Sequence, residues 1–420
     1  MYQKETLNNG LRLFTAKMPH TRSVSICIFV GVGSRYETGE WAGVSHFIEH
    51  MCFKGTPGRP SPKEISAAIE GVGGVVNAGT DKELTVYWCK VARPHFPLAL
   101  DVLVDMLRNS RFDPEDIERE RQVIIEEINL SKDAPQHQVG MLIDELLWPN
   151  HPLGRDIAGS KESVAGISRD MMLEFLSGQY LPADTVVAVA GDIQHEEVVD
   201  LMSQSLGMWT SKPARVGFLP YQEQPNPWLQ IISRNTEQTH LCLALPGLPI
   251  LHPERFSLDL LNTVLGEGMS SRLFLEIRDR LGLAYGIHSY VEHFNDSGSV
   301  IVYAGVEHEN LAVTVKAILE QLALLKEPVS EPEVMKAKEL SKGRLLLRME
   351  DSRSVAGWAG AQEVLTGRVL SVEQVVSTID AITSEQIAQV AQQLFTDDKL
   401  RLAVVGPVTA GEHLEELLKL

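Results

Sequence analysis

A helix-like run at the end of the first fifty residues holds two histidines and a glutamate, His46, Glu49 and His50. Positions four apart lie on one face of an α-helix, so both imidazoles can reach one metal ion. Glu49, three residues after His46, lies near that face but offset from it, where it can contact a metal-bound water. Imidazole ligands and one open position suit zinc. The alternative is that the pattern arose by chance. From the histidine and glutamate content, about 0.04 chance copies are expected in a chain of 420 residues.

A third ligand has to come from another element, and residues 119–127, on the helix predicted to start at Pro114, offer three carboxylates. Glu120 and Glu127 are seven residues apart and therefore share a helix face, whereas Glu126 projects about 100° away from Glu127. Only one of Glu126 and Glu127 is therefore expected to bind the metal. In isolation these charges would be interpreted as a solvated helix face.

The elements that position these residues repeat along the chain, which has 420 residues. A Pro- and Gly-rich stretch at 207–228 shows no sustained period and is interpreted as a linker between domains 1–206 and 229–420. Proline near the start of a helix recurs at Pro114 and Pro332, and each half ends with a helix, a turn and a strand. We predict an α+β protein of two homologous domains, each a mostly antiparallel sheet layered with helices.

The second half lacks the metal pattern. Aligning Pro114 with Pro332 places Leu345 opposite Glu127, and this half has no His-x-x-Glu-His sequence. The prediction is that only the N-terminal domain, 1–206, binds metal and that the C-terminal domain, 229–420, is metal-free.

Composition narrows the class of protein and its location. The formal charge of −18 argues against a nucleic-acid partner, which requires surplus lysine and arginine, and it suits cationic peptides or simple solubility. The scattered cysteines, Cys27, Cys52, Cys89 and Cys242, are interpreted as buried thiols in a reducing compartment. With no signal-peptide pattern and no long apolar run, we expect a cytoplasmic protein without membrane association.

The pentad His46-Phe47-Ile48-Glu49-His50, the downstream glutamates and the repeat together resemble the inverzincin metallopeptidases, which include pitrilysin, insulin-degrading enzyme and mitochondrial processing peptidase. The resemblance covers essentially the whole chain and is nearest to the short, two-domain, bacterial processing-peptidase-like subfamily. It implies that His46 and His50 bind one Zn²⁺ per chain with Glu127 as third ligand, that Glu49 is the general base, and that Glu120 supports the site. Because the spacing varies in these enzymes, Glu126 stays the alternative ligand.

Two further pairs are implied by the resemblance. Asn77 and Ala78 match the edge strand to which a peptide substrate adds, although Asn77 could also be a turn residue. Arg278 and Tyr285 match a pair, seven residues apart, that reaches the active site from the second domain and stabilises the substrate carbonyl. Outside the family they would be interpreted as a surface arginine and a core tyrosine.

The resulting prediction is a zinc metalloendopeptidase that hydrolyses short or unfolded peptides in an enclosed chamber. The family needs four domains to close its chamber, so a two-domain chain is expected to pair. A homodimer is predicted because the zinc pattern and the Arg278/Tyr285 pair lie on this one chain, and a heterodimer stays open. The competing interpretation is a non-catalytic scaffold or peptide-binding subunit, which typically loses the zinc residues.

Overall fold

A computed structural model describes residues 2–210, 217–223, 228–408 and 414–420 of the protein. The chain forms two compact units, each assembled from three segments. Unit 1 comprises Met1–Ile128, Arg155–Leu219 and Leu347–Ser371, and unit 2 comprises Asn129–Gly154, Pro220–Leu346 and Val372–Leu420. Neither unit is one continuous stretch, in contrast to the predicted domains 1–206 and 229–420. Of the predicted linker 207–228, residues 211–216 and 224–227 lie outside the described residues.

The described strands form one sheet in each unit. Those of unit 1 are β1 (Tyr2–Thr6), β2 (Arg12–Lys17), β3 (Ser23–Val30), β4 (Val75–Thr80), β5 (Thr85–Ala92) and β6 (Thr185–Gly191). Those of unit 2 are β7 (Leu229–Ser233), β8 (Thr239–Pro246), β9 (Ala284–His293), β10 (Gly298–Val306) and β11 (Arg401–Gly406).

The two sheets have the same topology. The order β1-β2-β6-β3-β5-β4 in unit 1 contains a five-strand arrangement that recurs in unit 2 as β7-β11-β8-β10-β9. In each sheet one pair is parallel, β2 with β6 and β7 with β11, and the other pairs are antiparallel. The predicted fold class, two homologous α+β domains with mostly antiparallel sheets, is confirmed.

Helices cover these sheets. They are α1 (Val44–Met51), α2 (Pro62–Glu70), α3 (Phe96–Asn109), α4 (Pro114–Asp133), α5 (Pro135–Leu147), α6 (Lys161–Gly166), α7 (Arg169–Gln179), α8 (His195–Leu206), α9 (Arg255–Gly266), α10 (Leu311–Leu324), α11 (Glu331–Arg348), α12 (Ser352–Thr366), α13 (Val372–Ala381) and α14 (Ser384–Leu394). None of the helices in the described part of the chain combines the length and the apolar composition that a membrane crossing requires.

Strand β3 shows how the sheet of unit 1 is buried on both faces. Val24, Ile26 and Ile28 belong to the main core, which also contains the buried faces of α1, α2 and α3. Side chains alternate between the faces of a strand, so Cys27 and Phe29 point to the opposite side. There they pack in a second cluster with buried residues of α12.

Helix α12 approaches this second face closely because it carries small residues. A Cβ atom at Gly360 would lie 2.3 Å from the ring of Phe29, so the close contact requires glycine. Near the start of the helix, the hydroxyl of Ser352 is 2.9 Å from that of Ser25. The helix is therefore an integral part of unit 1, although it belongs to the second half of the sequence.

The equivalent helix of the first half packs in unit 2. Helix α5 follows α4 as α12 follows α11, and Val139, Ile143 and Leu146 of α5 pack with buried residues of strands β8, β10 and β11. Each unit thus includes a helix that comes from the other half of the sequence. This exchange explains why the compact units differ from continuous halves.

The four cysteines are buried and free, without a disulfide. Burial raises the pKa of Cys52 to about 11 and that of Cys27 to about 12. These thiols are therefore protonated and unreactive near neutral pH, and they behave as small apolar side chains, which agrees with the interpretation from their spacing.

Candidate metal centre

Helix α1 carries the pentad, and its buried and exposed faces decide where the pentad's side chains lie. Its buried side chains, among them Phe47, Ile48 and Met51, pack into the core of unit 1. His46, Glu49 and His50 lie on the remaining, partly exposed face. The apolar spacing of the helix thus determines which side the imidazoles occupy.

The two imidazoles and one carboxylate converge on a common point. The Nε2 atoms of His46 and His50 are 3.1 Å apart. The Oε2 atom of Glu127, on α4, is 3.9 Å from Nε2 of His46 and 3.7 Å from Nε2 of His50. One donor atom from each of the three residues lies within 4.8 Å of the other two, and no second such group of histidine, cysteine or acidic residues occurs in the described residues.

Glu120 is close to His50 but on the other side of its ring. Its Oε1 atom is 2.8 Å from Nδ1 of His50, and its Oε2 atom accepts a hydrogen bond of 2.5 Å from Nζ of Lys54. Burial raises the pKa of Glu120, but the bonds from His50 and Lys54 outweigh it and hold that pKa below the usual value. A carboxylate at Nδ1 fixes the ring and leaves Nε2 free as a ligand atom.

The surroundings of the two histidines shift their pKa values in opposite directions. Burial lowers the pKa of His46 to about 4, with a smaller effect from His50, so this ring is neutral at physiological pH. Burial also lowers the pKa of His50, but the bond to Glu120 and the charge of Glu127 reverse the effect and raise that pKa. Two Nε2 atoms 3.1 Å apart cannot both carry a proton.

This donor set fits a zinc ion. Two imidazole nitrogens and one carboxylate oxygen are a known ligand combination of catalytic zinc sites, in which the fourth position stays open for water or substrate. The charge of Glu127 and the carboxylate behind His50 both favour a divalent cation at the convergence point. His46, His50 and Glu127 are therefore the residues that can hold the metal.

Glu49 lies beside these residues without joining them. Its Oε2 atom accepts a hydrogen bond of 2.6 Å from the hydroxyl of Thr80, on the edge strand β4. Burial raises the pKa of Glu49 above its ordinary value, and the bond from Thr80 opposes this effect. A raised pKa brings a carboxylate nearer to the range in which it exchanges protons at neutral pH.

Glu126, the alternative third ligand, projects elsewhere from α4. It is exposed, whereas Ile124 and Ile128 of the same helix are buried. Among the described residues, the carboxylates that contact the two histidines are those of Glu120 and Glu127. The rotation of α4 that buries its isoleucines therefore directs Glu127 to the histidines.

Asn77 and Ala78 lie in β4, the last strand of the sheet order in unit 1. They pair with Trp88 and Tyr87 of β5, so Asn77 is a strand residue and its interpretation as a turn residue is wrong. The other edge of β4 pairs with no strand in the described part of the chain. An unpaired edge presents backbone donors and acceptors that an extended peptide can use.

Arg278 and Tyr285 belong to unit 2. Arg278 lies in a π-helical segment, Phe274–Arg280, and its guanidinium carbon is 4.8 Å from the centre of the Tyr285 ring. Tyr285 is 79% exposed, so the interpretation as a core tyrosine is wrong. The two side chains thus form a contacting pair at the surface of unit 2.

Three residues of the site were not predicted from the sequence. Thr80 follows Asn77 and Ala78 closely and could have been found as a hydroxyl beside the edge strand. Lys54 is four residues after His50, beyond the end of α1, and no sequence pattern marks it as a residue of the site. The third is Glu37, which accepts hydrogen bonds from the backbone of the first turn of α1.

Comparison with known proteins gives matches along the whole chain. The family model described as Insulinase (Peptidase family M16) matches residues 12–161, and the model described as Peptidase M16 inactive domain matches residues 166–341. The uncharacterized zinc protease YmxG of Bacillus subtilis is 37% identical over 410 residues, which are 97% of this chain and 98% of that protein. The uncharacterized zinc protease ML0855 of Mycobacterium leprae is 37% identical, with 99% of this chain and 94% of the relative covered.

Solved structures share the fold at lower identity. A protease from Helicobacter pylori has a TM-score of 0.90 at 22% identity and covers 97% of this chain and 99% of its own. A peptidase M16 inactive domain from Pseudomonas fluorescens also has a TM-score of 0.90, at 21% identity and with 98% of both chains covered.

Proposed function

Because the chain belongs to peptidase family M16, we propose that it is a zinc-dependent endopeptidase in which His46, His50 and Glu127 bind one zinc ion per chain. The observation that carries the proposal is the convergence of two imidazole nitrogens and one carboxylate oxygen within 4.8 Å of one another. Relatives named as zinc proteases, at 37% identity over nearly the whole chain, support it.

Bound zinc supplies Lewis-acid activation of water for attack on a peptide carbonyl. Glu49 takes the proton from the attacking water and passes it to the leaving amine. Thr80 holds the Glu49 carboxylate through the bond of 2.6 Å and so orients it for both transfers. Glu120 keeps Nδ1 of His50 engaged, which leaves Nε2 of that ring directed to the metal.

The substrate is a short or unfolded peptide that adds to the free edge of β4. The backbone of Asn77 and Ala78 would bond it, as a new strand bonds a sheet edge, with affinity that depends little on sequence. In the account we propose, the Arg278/Tyr285 pair stabilises the substrate carbonyl as charge develops on its oxygen. The chain forms a homodimer, and the dimer encloses the chamber in which peptides are hydrolysed. The protein acts in the cytoplasm.

The competing function is a non-catalytic scaffold or peptide-binding subunit. It is favoured by the match of residues 166–341 to the inactive-domain model. That match covers residues 166–341, which contain no His-x-x-Glu-His sequence, and leaves the proposed metal residues His46, His50 and Glu127 outside it. Measurement of turnover distinguishes the two functions.

The test uses the full chain, a quenched-fluorescence peptide and the Glu49→Gln variant. We expect the wild-type protein to hydrolyse the peptide, a chelator to abolish hydrolysis and added zinc to restore it. Glu49→Gln should retain zinc and peptide binding but lose at least about 100-fold in kcat, because only the proton acceptor is removed. Hydrolysis by Glu49→Gln at the wild-type rate would refute the role of Glu49, and wild-type protein that binds peptide without cleaving it would support the scaffold.

A further inference from the structure

The two histidines of the metal centre are oriented in different ways. The ring of His50 is held by Glu120, which contacts its Nδ1 atom at 2.8 Å. Nδ1 of His46 is buried and has no hydrogen-bond partner among the described residues. Metal-binding histidines usually have an acceptor at the second ring nitrogen. Without a hydrogen bond at Nδ1, the His46 ring is placed by its packing, which includes the edge-on ring of His50 at 4.4 Å between centroids, and by the position of its backbone.

The backbone at His46 is held by Glu37. His46 is the third residue of α1, so its position is set by the first turn of that helix. One oxygen of the Glu37 carboxylate accepts the N–H of Gly43 at 2.8 Å, and the other accepts the N–H of Ser45 at 2.7 Å. First-turn N–H groups have no partner within a helix, and a carboxylate that bonds two of them fixes the turn.

Glu37 is itself fixed in place. It is only 5% exposed, and its backbone carbonyl accepts a hydrogen bond of 2.5 Å from Nη2 of Arg155. The segment after Arg155 also packs on the helix start, because a Cβ atom at Gly43 would lie 2.4 Å from the carbonyl oxygen of Ala158. Gly43 adopts a φ of +93°, which glycine takes without strain. The carboxylate and the first turn thus form one rigid arrangement.

We propose that Glu37 is the positioning residue of His46. By holding the backbone of the first turn it fixes the position from which the His46 side chain reaches the metal, whereas Glu120 holds His50 through its ring. The inference rests on the proposed function, since it assigns Glu37 to the zinc that His46, His50 and Glu127 would hold. It applies to binding of the metal and not to the proton transfers of Glu49.

The test compares Glu37→Gln with a helix-cap control on the same full-length chain. Gln has the shape of Glu, but its amide group can accept only one of the two N–H bonds and points a donor at the other. The control is Ser61→Ala, which removes the cap of helix α2, where the Ser61 hydroxyl oxygen accepts the N–H of Glu64 at 3.4 Å. Both variants weaken a helix start, but only the first is adjacent to the metal helix.

Two readouts separate positioning from general loss of structure. The zinc dissociation constant is measured by competition with a chromophoric chelator, and the visible spectrum of the cobalt-substituted protein reports ligand geometry. Glu37→Gln should weaken zinc binding about 10- to 100-fold, the range found for residues that orient metal ligands. It should also change the intensity of the cobalt bands. Ser61→Ala should leave both readouts at their wild-type values.

A zinc dissociation constant within about twofold of wild type, together with an unchanged cobalt spectrum, overturns the inference, since loss of a residue that orients a metal ligand changes that constant by at least about tenfold. If Glu37→Gln does not fold, Glu37→Asp takes its place. It keeps the charge but is too short to bond both N–H groups, so it too should weaken zinc binding. Wild-type protein that binds no zinc contradicts the proposed function itself, which is a different outcome from a tight-binding Glu37→Gln variant.

Discussion

The side chains around the metal position are divided between those that would bind it and those that hold the binding groups. His46, His50 and Glu127 direct one donor atom each to a common point. Glu120 holds His50 from behind, and Thr80 holds the neighbouring Glu49. Each held group has a restricted orientation, so little entropy is lost when metal or substrate binds. This arrangement is what a preorganised catalytic site requires.

Substitution of Glu127 and of its neighbour Glu126 tests which of the two carboxylates binds the metal. Glu127→Gln should weaken zinc binding by on the order of 100-fold or more, because it removes a charged ligand. Glu126→Gln should leave zinc binding within about twofold of wild type, since an exposed charge that contacts neither histidine contributes little. Competition with a chromophoric chelator measures both constants. The reverse ranking would show that Glu126 is the ligand.

The sequence was informative about side chains that act through local spacing. The four-residue interval between His46 and His50 depends only on helix geometry, and it predicted their common face. Glu126 and Glu127 could not be separated on that basis, because adjacent residues differ by about 100° and the packing of Ile124 and Ile128 decides the rotation. Glu37 could not be predicted, because its contact with Gly43 depends on the path of the intervening loop.

Among the helices and strands, the exchange of α5 and α12 explains why two similar halves of the sequence do not fold as two separate continuous domains. Helix α5, from the first half of the chain, packs on the sheet of unit 2, and helix α12, from the second half, packs on the sheet of unit 1. The internal repeat predicted that the two halves have the same elements and topology. It did not predict the exchange, because similarity between two helices does not indicate which of two similar sheets each one covers.

Two glycines of α12 test the close packing of this helix. Gly360→Ala should lower the free energy of unfolding by about 1–3 kcal/mol, because its Cβ atom would meet the ring of Phe29 at 2.3 Å. Gly357→Ala, three residues earlier, adds its Cβ atom to open space and should raise stability by up to about 1 kcal/mol through helix propensity. Urea unfolding of both variants gives the comparison. Equal effects would contradict the packing of α12 against Phe29.

For the whole molecule, the family resemblance and the fold agree. The resemblance inferred from the pentad, the glutamates and the repeat is confirmed by whole-chain relatives at 37% identity. The strand order repeats between units, yet the cluster of His46, His50 and Glu127, the one group among the described residues that could hold a metal, lies in the first half. Duplication followed by specialisation of one copy would give this pattern. The amino-acid sequence of a peptide that pairs with an edge strand cannot be inferred from the strand, because the pairing uses backbone groups.

The exchange of helices makes a prediction about a chain that is cut between residues 213 and 214. The first fragment lacks α12 and the second lacks α5, so each would expose the sheet face that the missing helix covers. We expect either fragment alone to be insoluble or partly folded, and co-expressed fragments to form a stable complex with native circular dichroism. Independent cooperative folding of both fragments would show that the exchanged helices are dispensable.

We propose that one zinc ion lies between His46, His50 and Glu127. Crystals of the full-length protein with zinc, with diffraction recorded on both sides of the zinc absorption edge, test it directly. We expect one anomalous peak per chain within bonding distance of Nε2 of both histidines and of a carboxylate oxygen of Glu127. A peak at other residues, or no peak in protein that hydrolyses peptides, would contradict it.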